Sequence, residues 1–434
     1  MKRQDLLFCL LAVTAFFVLP GLVTAVFITW ALFYFVRCAT PEEDRRTVSS
    51  LLGYSLAVRI VLFCVLQYFI FSRGVLDIFG DAQDNIIKGM LFGDYFTGKF
   101  NIGKVLTIDR YNTHSMSFFN GAYFALFHDD IILLKYINML AVTAAGWLAY
   151  DLLRRAYSSL SGKIAAAIIV FWPTVMIWSI TDLKEAHFIF CLVAVFWILN
   201  RLGGKMRLPT RIFYMALFFI VLFYTVLLKY KFMFPLLILN AVPLGLYYLL
   251  WKNKPERVRG RTVIFGLLLL SVFLLKYHGP VVQKMKDFYS TIFSYYRWSV
   301  STGGWNYSLV PIGSGDMYSF PYFARHLAGG WFHFLTEPLP WHLNSYGLIF
   351  MVPVLFLWYT LLFYSFVGLV RLVRLNKVSI FIPMLVFSFL YVTSLGMSVA
   401  NIGTAVRFRD AIMPVVAMLA SCAICLPDSE RERL

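Results

Sequence analysis

Residues 49 to 72 read SSLLGYSLAVRIVLFCVLQYFIFS, a run in which Arg59 is the one charged residue. The hydrocarbon core of a bilayer is about 30 Å thick, and a helix of about 20 apolar residues crosses it. This run is therefore long and apolar enough to span a membrane. A charge within such a span is costly unless it has a partner, so the run also predicts a partner or a watery cavity for Arg59.

Comparable runs recur along the chain of 434 residues, of which 60% are hydrophobic and 14% charged. A soluble domain carries about 25% charged residues, which excludes an ordinary soluble or disordered protein. We predict an all-α integral membrane protein of about 10–12 transmembrane helices, forming a single polytopic domain over residues 1–434. The other predicted spans lie near 131–150, 163–180, 187–200, 212–228, 232–250, 262–276, 346–370, 379–399 and 409–426. Residues 6–36 form either one kinked helix or a hairpin of two short helices around Pro20.

The basic residues are distributed unequally between the two sides of these spans. When ten spans alternate, eighteen Lys and Arg residues fall in short loops on one side and five on the other. The positive-inside rule makes the richer side cytoplasmic. The formal net charge of +17 therefore indicates cytoplasmic loops and membrane-lipid contacts rather than a nucleic-acid partner. We predict a multi-pass protein of the cell membrane with a periplasmic or extracellular active face.

Two long loops, about 73–130 and 277–345, then lie on the outer side, and their aromatic content predicts structured, partly helical segments. The first loop contains Gly80-Asp81 soon after a span. A carboxylate at the membrane face is well placed as a general base or as a metal ligand. Alternatively, Asp81 is the N-terminal cap of an amphipathic helix.

The turn Trp178–Glu185, WSITDLKE, places three ionisable residues between two apolar helices. Charges this close to hydrocarbon are costly unless they are paired or functional. Asp182, Lys184 and Glu185 therefore form either a local surface ion pair or part of a site.

Two further basic groups lie on the outer side, where the positive-inside rule disfavours them. Lys229 and Lys231 interrupt an apolar stretch, and Arg407 and Arg409 precede the last span. In an extended loop the two arginines would point the same way, and guanidinium groups suit phosphate oxygens. The alternative is that these side chains reach the lipid headgroups.

Motifs for nucleotide binding and for hydrolysis are absent from the sequence: there is no Walker loop, no Rossmann fingerprint, no GxSxG and no HExxH. The energy for a reaction must then come from an activated substrate. In a membrane, a sugar carried on a polyprenyl phosphate is a natural one.

These features together resemble the GT-C class of membrane glycosyltransferases, which includes dolichyl-phosphate-mannose protein mannosyltransferases and lipid A aminoarabinose transferases. The resemblance rests on three short segments: Gly80-Asp81, the turn from Trp172-Pro173 to Leu183-Lys184-Glu185, and Gly403-Thr404-Ala405-Val406-Arg407-Phe408-Arg409 with Pro414. It implies that Asp81 is the catalytic base or a ligand of a divalent cation, Mg²⁺ or Mn²⁺. It also implies that the donor phosphate is bound by Lys184, Arg407 and Arg409, with Lys229 and Lys231 as weaker candidates.

The sequence thus predicts inverting sugar transfer from a polyprenyl-phosphate donor to a glycan or lipid acceptor at the outer face, in cell-surface glycan synthesis. Asp84, Glu185 and Glu337 are weaker candidates for substrate contacts. One alternative is an O-antigen polymerase or ligase that depends on arginines rather than on an acid. Another is a transporter of lipid-linked oligosaccharide that performs no chemistry.

Overall fold

The computed structural model describes residues 20–69, 75–99, 114–127, 130–204, 206–228, 278–301, 319–339, 342, 351–378 and 381–425. Within these ranges 87% of the residues are helical and none lies in a strand. This confirms the predicted all-α fold. The predicted spans 232–250 and 262–276, and the first part of the stretch 6–36, lie outside the described residues.

Fifteen helices occur in the described ranges, and they are numbered here in chain order. They are α1 (Pro20–Ala39), α2 (Glu42–Phe69), α3 (Gly80–Phe96), α4 (His114–Phe127), α5 (Ile131–Ala156), α6 (Ser159–Phe171), α7 (Pro173–Ser179), α8 (Glu185–Leu202), α9 (Leu208–Leu228), α10 (His278–Ser301), α11 (Phe320–Thr336), α12 (Val352–Arg374), α13 (Ile382–Ser398), α14 (Ile402–Arg409) and α15 (Met413–Ile424).

Six of these helices, α1, α2, α5, α8, α9 and α12, are long and apolar enough to cross a membrane. The number rises to seven if the bent pair α6 and α7 forms one span. Helices α13 and α15 are apolar but shorter, although the sequence predicts full spans over 379–399 and 409–426. Helices α5 and α8 are the most enclosed of the six, so the core is built around them.

The predicted span 163–180 is a broken helix. Helices α6 and α7 meet at Trp172 with a bend of 58°. Pro173 is the first residue of α7, and Trp172 before it is extended, at φ −61° and ψ 121°. Proline disfavours the helical conformation in the residue that precedes it, which accounts for the break at this position.

The two predicted outer loops contain helices, as the sequence leads us to expect. Helices α3 and α4 lie within the first loop and pack along each other, while α10 and α11 lie within the second. Helix α11 crosses α13, and α12 packs along α15. The contact with α13 holds α11 of the second loop against the apolar bundle.

Arg59, the one charge in the run 49–72, is buried in the bundle. Its guanidinium donates to the Ser55 hydroxyl at 3.3 Å and to the carbonyl oxygen of Val170 on α6. The predicted need for a partner is therefore confirmed, and Arg59 links α2 to α6.

The backbones of helices α11 and α13 lie close together at Gly330 and Gly396. A Cβ atom on Gly330 would lie 2.7 Å from the carbonyl oxygen of Gly396. Backbone atoms cannot move aside as a flexible side chain can, so only glycine fits this crossing.

We therefore expect Gly330→Ala to destabilise the protein by about 1–3 kcal/mol, as overpacking commonly does. The melting temperature of the purified protein in detergent measures the change. Gly53→Ala on α2 is the matched control, because a Cβ there meets its nearest neighbour, Phe33, at 3.9 Å. An unchanged melting temperature for Gly330→Ala would show that the helices separate at no cost.

Candidate functional site

Four charged side chains from three distant segments meet at one end of the bundle. The Arg407 guanidinium donates to the Asp81 carboxylate at 2.8 Å, and its Nε lies 3.3 Å from Oε1 of Glu185. Lys184 lies close enough to interact electrostatically with both Asp81 and Arg407. We call Asp81, Lys184, Glu185 and Arg407 the outer charge cluster, after the face on which the sequence predicts these residues.

The ends of three helices position this cluster. Asp81 lies in the first turn of α3, Lys184 and Glu185 begin α8, and Arg407 lies in the last turn of α14. Anionic groups are favoured at helix N-termini and cationic groups at C-termini, which suits Asp81, Glu185 and Arg407.

Asp81 is not the cap of its helix. Phe79 occupies the capping position of α3, and no side-chain capping hydrogen bond forms there. The Asp81 side chain is 69% exposed, whereas that of Glu185 is 2% exposed. Arg407 thus lies between an accessible carboxylate and a buried one.

Opposite charges in this cluster keep Asp81 and Arg407 in their ionised forms. Burial raises the pKa of Asp81, but attraction by Arg407, Lys184 and Lys88 more than offsets it, and the pKa lies below its usual value. Burial lowers the pKa of Arg407, but Glu185 and Asp81 together raise it above its ordinary value. For Lys184, burial outweighs the attraction of Glu185 and leaves the pKa lowered. The exposed carboxylate therefore remains ionised well below neutral pH.

A buried aspartate fixes α14 to the helix break. The Asp410 carboxylate accepts hydrogen bonds from the indole nitrogens of Trp172 at 3.2 Å and Trp178 at 2.6 Å. The Tyr391 hydroxyl of α13 donates to the carbonyl oxygen of Phe408 at 3.1 Å. These bonds determine where the end of α14, and with it Arg407, lies.

A second buried network joins the first outer loop to the turn before α8. The Asp182 carboxylate accepts a hydrogen bond from Asn120 at 2.5 Å, and the Asp182 amide donates to Asp77 at 3.0 Å. Asp77 pairs with Lys135 at 3.1 Å, and both side chains are at most 1% exposed. Asn85 of α3 donates to the Asp182 carbonyl oxygen at 3.4 Å. This network attaches α3 and α4 to the turn before α8. It thereby holds Asp81 of α3 next to Arg407.

Arg409 does not join the cluster, and the expected arginine pair is wrong. Residues 402–409 form helix α14, capped by Asn401, rather than an extended loop. Neighbours two apart point to opposite sides of a helix. The buried Arg409 guanidinium donates to the carbonyl oxygen of Glu337 at 2.7 Å and lies 4.7 Å from the centre of the Trp358 ring. Arg409 therefore connects α14 to the end of α11.

Glu337 is likewise buried and engaged. Its carboxylate contacts Nδ1 of His333 at 2.6 Å and Nδ1 of His342 at 2.8 Å, and it accepts from the amide of Leu339 at 2.9 Å. Burial raises the pKa of Glu337, but these hydrogen bonds bring it below its usual value. The substrate contact of Glu337 stays a prediction, and in the structure its carboxylate is bonded within the protein.

The remaining predicted candidates have different outcomes. Asp84 is exposed and lies 4.0 Å from Lys88 one turn further along α3. Lys229 and Lys231 lie outside the described residues. Glu185, a predicted substrate contact, lies 3.3 Å from Nε of Arg407 in the structure.

The cluster does not fit a cation held by the protein alone. Among the described residues, no group of three or more His, Cys, Asp or Glu side chains is arranged to hold a metal ion. Mg²⁺ and Mn²⁺ prefer several oxygen ligands, and Arg407 already holds the Asp81 carboxylate.

Sequence reasoning missed Asp410 and the assembly of Asp77 and Asp182 with Lys135. A signal for Asp410 is present in retrospect, because two indole N–H groups near an apolar helix break need acceptors when buried. The polar partners themselves are distant in sequence, which hides the pairing.

Comparisons of the chain with known protein families, with curated proteins and with solved structures gave no match.

The buried Asp182 predicts a pH-dependent stability. Burial, with repulsion by Asp77, raises the pKa of Asp182 to about 7, although the hydrogen bond from Asn120 opposes this. An aspartate whose pKa is raised on folding stabilises the fold fully below its unfolded value of about 4, and this contribution is lost as the pH rises through about 7.

We therefore expect Asp182→Asn to become more stable relative to wild type as the pH rises from 5 to 8, by roughly 1–4 kcal/mol. Melting temperatures at several pH values measure this, because the amide still accepts from Asn120 but carries no charge. Asp94→Asn, which removes a partly exposed charge from α3, is the control. A wild-type and Asp182→Asn difference that is constant with pH would contradict the assignment.

Proposed function

We propose that this protein transfers a sugar from a polyprenyl-phosphate donor to a glycan or lipid acceptor at the outer membrane face. The observation that carries the proposal is the contact between Asp81 and Arg407, residues separated by 326 positions in the chain. An accessible acid and an anion-binding guanidinium in direct contact are the two groups that such a transfer needs. Helices long and apolar enough to cross a membrane suit a substrate that remains in the membrane.

In this proposal the donor phosphate binds to Arg407 and Lys184. Charge-assisted hydrogen bonds from guanidinium groups to phosphate are among the strongest in proteins. Glu185 lies behind Arg407, at 3.3 Å from its Nε, and acts as a positioning residue. The phosphate then competes with Asp81 for the outward-facing part of the guanidinium.

Donor binding thereby activates the base. Once phosphate displaces the Asp81 carboxylate, Asp81 loses the attraction of Arg407 that lowers its pKa. A carboxylate with a higher pKa is a stronger base. Asp81 is then free to approach the acceptor hydroxyl, since its side chain is largely exposed.

The reaction is a single displacement. The acceptor oxygen bonds to the anomeric carbon while the bond from that carbon to the phosphate oxygen breaks, and the electron pair leaves with the phosphate. The acceptor proton passes to Asp81, and Arg407 and Lys184 stabilise the charge that develops on the leaving phosphate. One displacement inverts the configuration of the sugar.

We expect Asp81→Asn to lower transfer by about 100-fold or more, the usual range for loss of a general base, without loss of folding. The assay presents radiolabelled polyprenyl-phosphate hexose or pentose to membranes that contain the protein and follows the label into glycan or lipid. Asp94→Asn is the matched control, because it removes an acidic charge from the same helix away from the cluster.

The other outcomes separate the alternatives. Activity that survives Asp81→Asn but is lost in Arg407→Gln would favour an arginine-dependent polymerase or ligase. Movement of an unaltered lipid-linked oligosaccharide across the membrane, with no sugar transferred, would favour a transporter. Either result overturns the acid-dependent transferase.

A binding experiment separates donor capture from chemistry. We expect Arg407→Gln to weaken binding of a short-chain polyprenyl phosphate by about tenfold, since a hydrogen bond to a charged group contributes roughly 1.5–3 kcal/mol. Asp81→Asn should bind it at least as tightly as wild type, because a competing anion has been removed. Native mass spectrometry measures both. Weaker binding in Asp81→Asn would contradict the competition between carboxylate and phosphate.

A further inference from the structure

Three arginines donate hydrogen bonds to one buried carboxylate near the C-terminal end of α5. The Asp151 carboxylate, 1% exposed, accepts from Arg154 at 3.0 Å, from Arg155 at 3.0 Å and from Arg201 at 2.8 Å. The Trp197 indole nitrogen donates to it as well, at 2.9 Å. We call Arg154, Arg155 and Arg201 the arginine cluster.

The positive charge of this cluster exceeds what the carboxylate neutralises. Three guanidinium groups face one carboxylate, which leaves a local excess of two positive charges. The neighbouring Asp44 shows the balanced alternative, because one lysine, Lys163, pairs with it while Tyr150 and Ser159 donate hydrogen bonds. An ion pair that only anchored α5 would need one basic residue rather than three.

The arginine cluster also has hydrogen-bond donors left over. Nε of Arg154 and Nε of Arg201 are buried and have no hydrogen-bond partner among the described residues. A buried donor without an acceptor costs about 1–3 kcal/mol. The three side chains nonetheless remain partly accessible, from 22% to 39% exposed. An anion that reaches the accessible part of these side chains would meet the excess positive charge.

The position of the cluster identifies the kind of anion. Arg154 and Arg155 lie in the last turn of α5, and Arg201 lies in the last turn of α8. Both helices are candidate membrane spans, so their ends lie at the depth of the lipid headgroups. The basic loops assign this end to the cytoplasmic face, whose leaflet carries anionic lipids.

We propose that the arginine cluster is a binding site for the phosphate group of an anionic phospholipid. Asp151 holds the three guanidinium groups together, and the Arg201 guanidinium lies 4.9 Å from the centre of the Trp197 ring, which fixes its direction. The site is separate from the outer charge cluster and does not depend on the proposed transfer.

Native mass spectrometry of the detergent-solubilised protein tests this with phosphatidylglycerol, phosphatidylcholine and inorganic phosphate as probes. We expect Arg155→Gln and Arg201→Gln each to weaken phosphatidylglycerol binding by about tenfold, the equivalent of one charge-assisted hydrogen bond. Arg374→Gln is the matched control, because it removes an exposed arginine from the last turn of α12 on the same predicted face. Melting temperatures without lipid identify any variant that fails to fold.

The three probes separate the sources of phosphate. Tight phosphatidylglycerol binding that either cluster variant weakens and the control does not would support the lipid site. Binding of inorganic phosphate with equal strength and the same dependence on the arginines would assign the site to a soluble phosphate and overturn the lipid. Equal losses in Arg201→Gln and Arg374→Gln would overturn the site, since attraction would then follow total charge only.

Discussion

The position of the outer charge cluster depends on the hydrogen bonds that the Asp410 carboxylate accepts. The carboxylate accepts hydrogen bonds from Trp172, which lies at the helix break, and from Trp178, which lies near the end of α7. Because Asp410 ends α14, these bonds fix the helix that carries Arg407. The two hydrogen bonds are costly to break, because each buried indole donor would be left without a partner. The position of Arg407 therefore follows from a bond that Arg407 does not make.

The outer charge cluster is assembled from parts that are each rigid for a different reason. Helix α3 is held by the buried network of Asp77, Asp182 and Lys135, and α8 begins directly at Lys184 and Glu185. Only Asp81 among the four charged residues of the cluster is largely exposed. This arrangement keeps the basic groups in place while one carboxylate remains accessible, which is the distribution of rigidity that the proposed displacement by a phosphate requires.

The two ends of the bundle use arginine differently. At the outer end, Arg407 lies between two carboxylates, so its charge is balanced until an anion displaces one of them. At the other end, Asp151 faces three arginines, and positive charge is in excess. The balanced arrangement suits a group that is exchanged during a reaction, whereas the unbalanced one suits permanent contact with an anionic surface.

The sequence alone predicted the all-α class, helices long and apolar enough to cross a membrane, helical segments within 73–130 and 277–345, and the need for a partner at Arg59, because apolar length and charge placement are local properties. It also identified Asp81, Lys184 and Arg407 as candidate residues of one site. Only the tertiary structure decided that Arg407 contacts Asp81 while Arg409 bonds to the Glu337 carbonyl oxygen. The reason is physical: residues 402–409 are helical rather than extended, and two arginines two positions apart on a helix cannot face the same ligand.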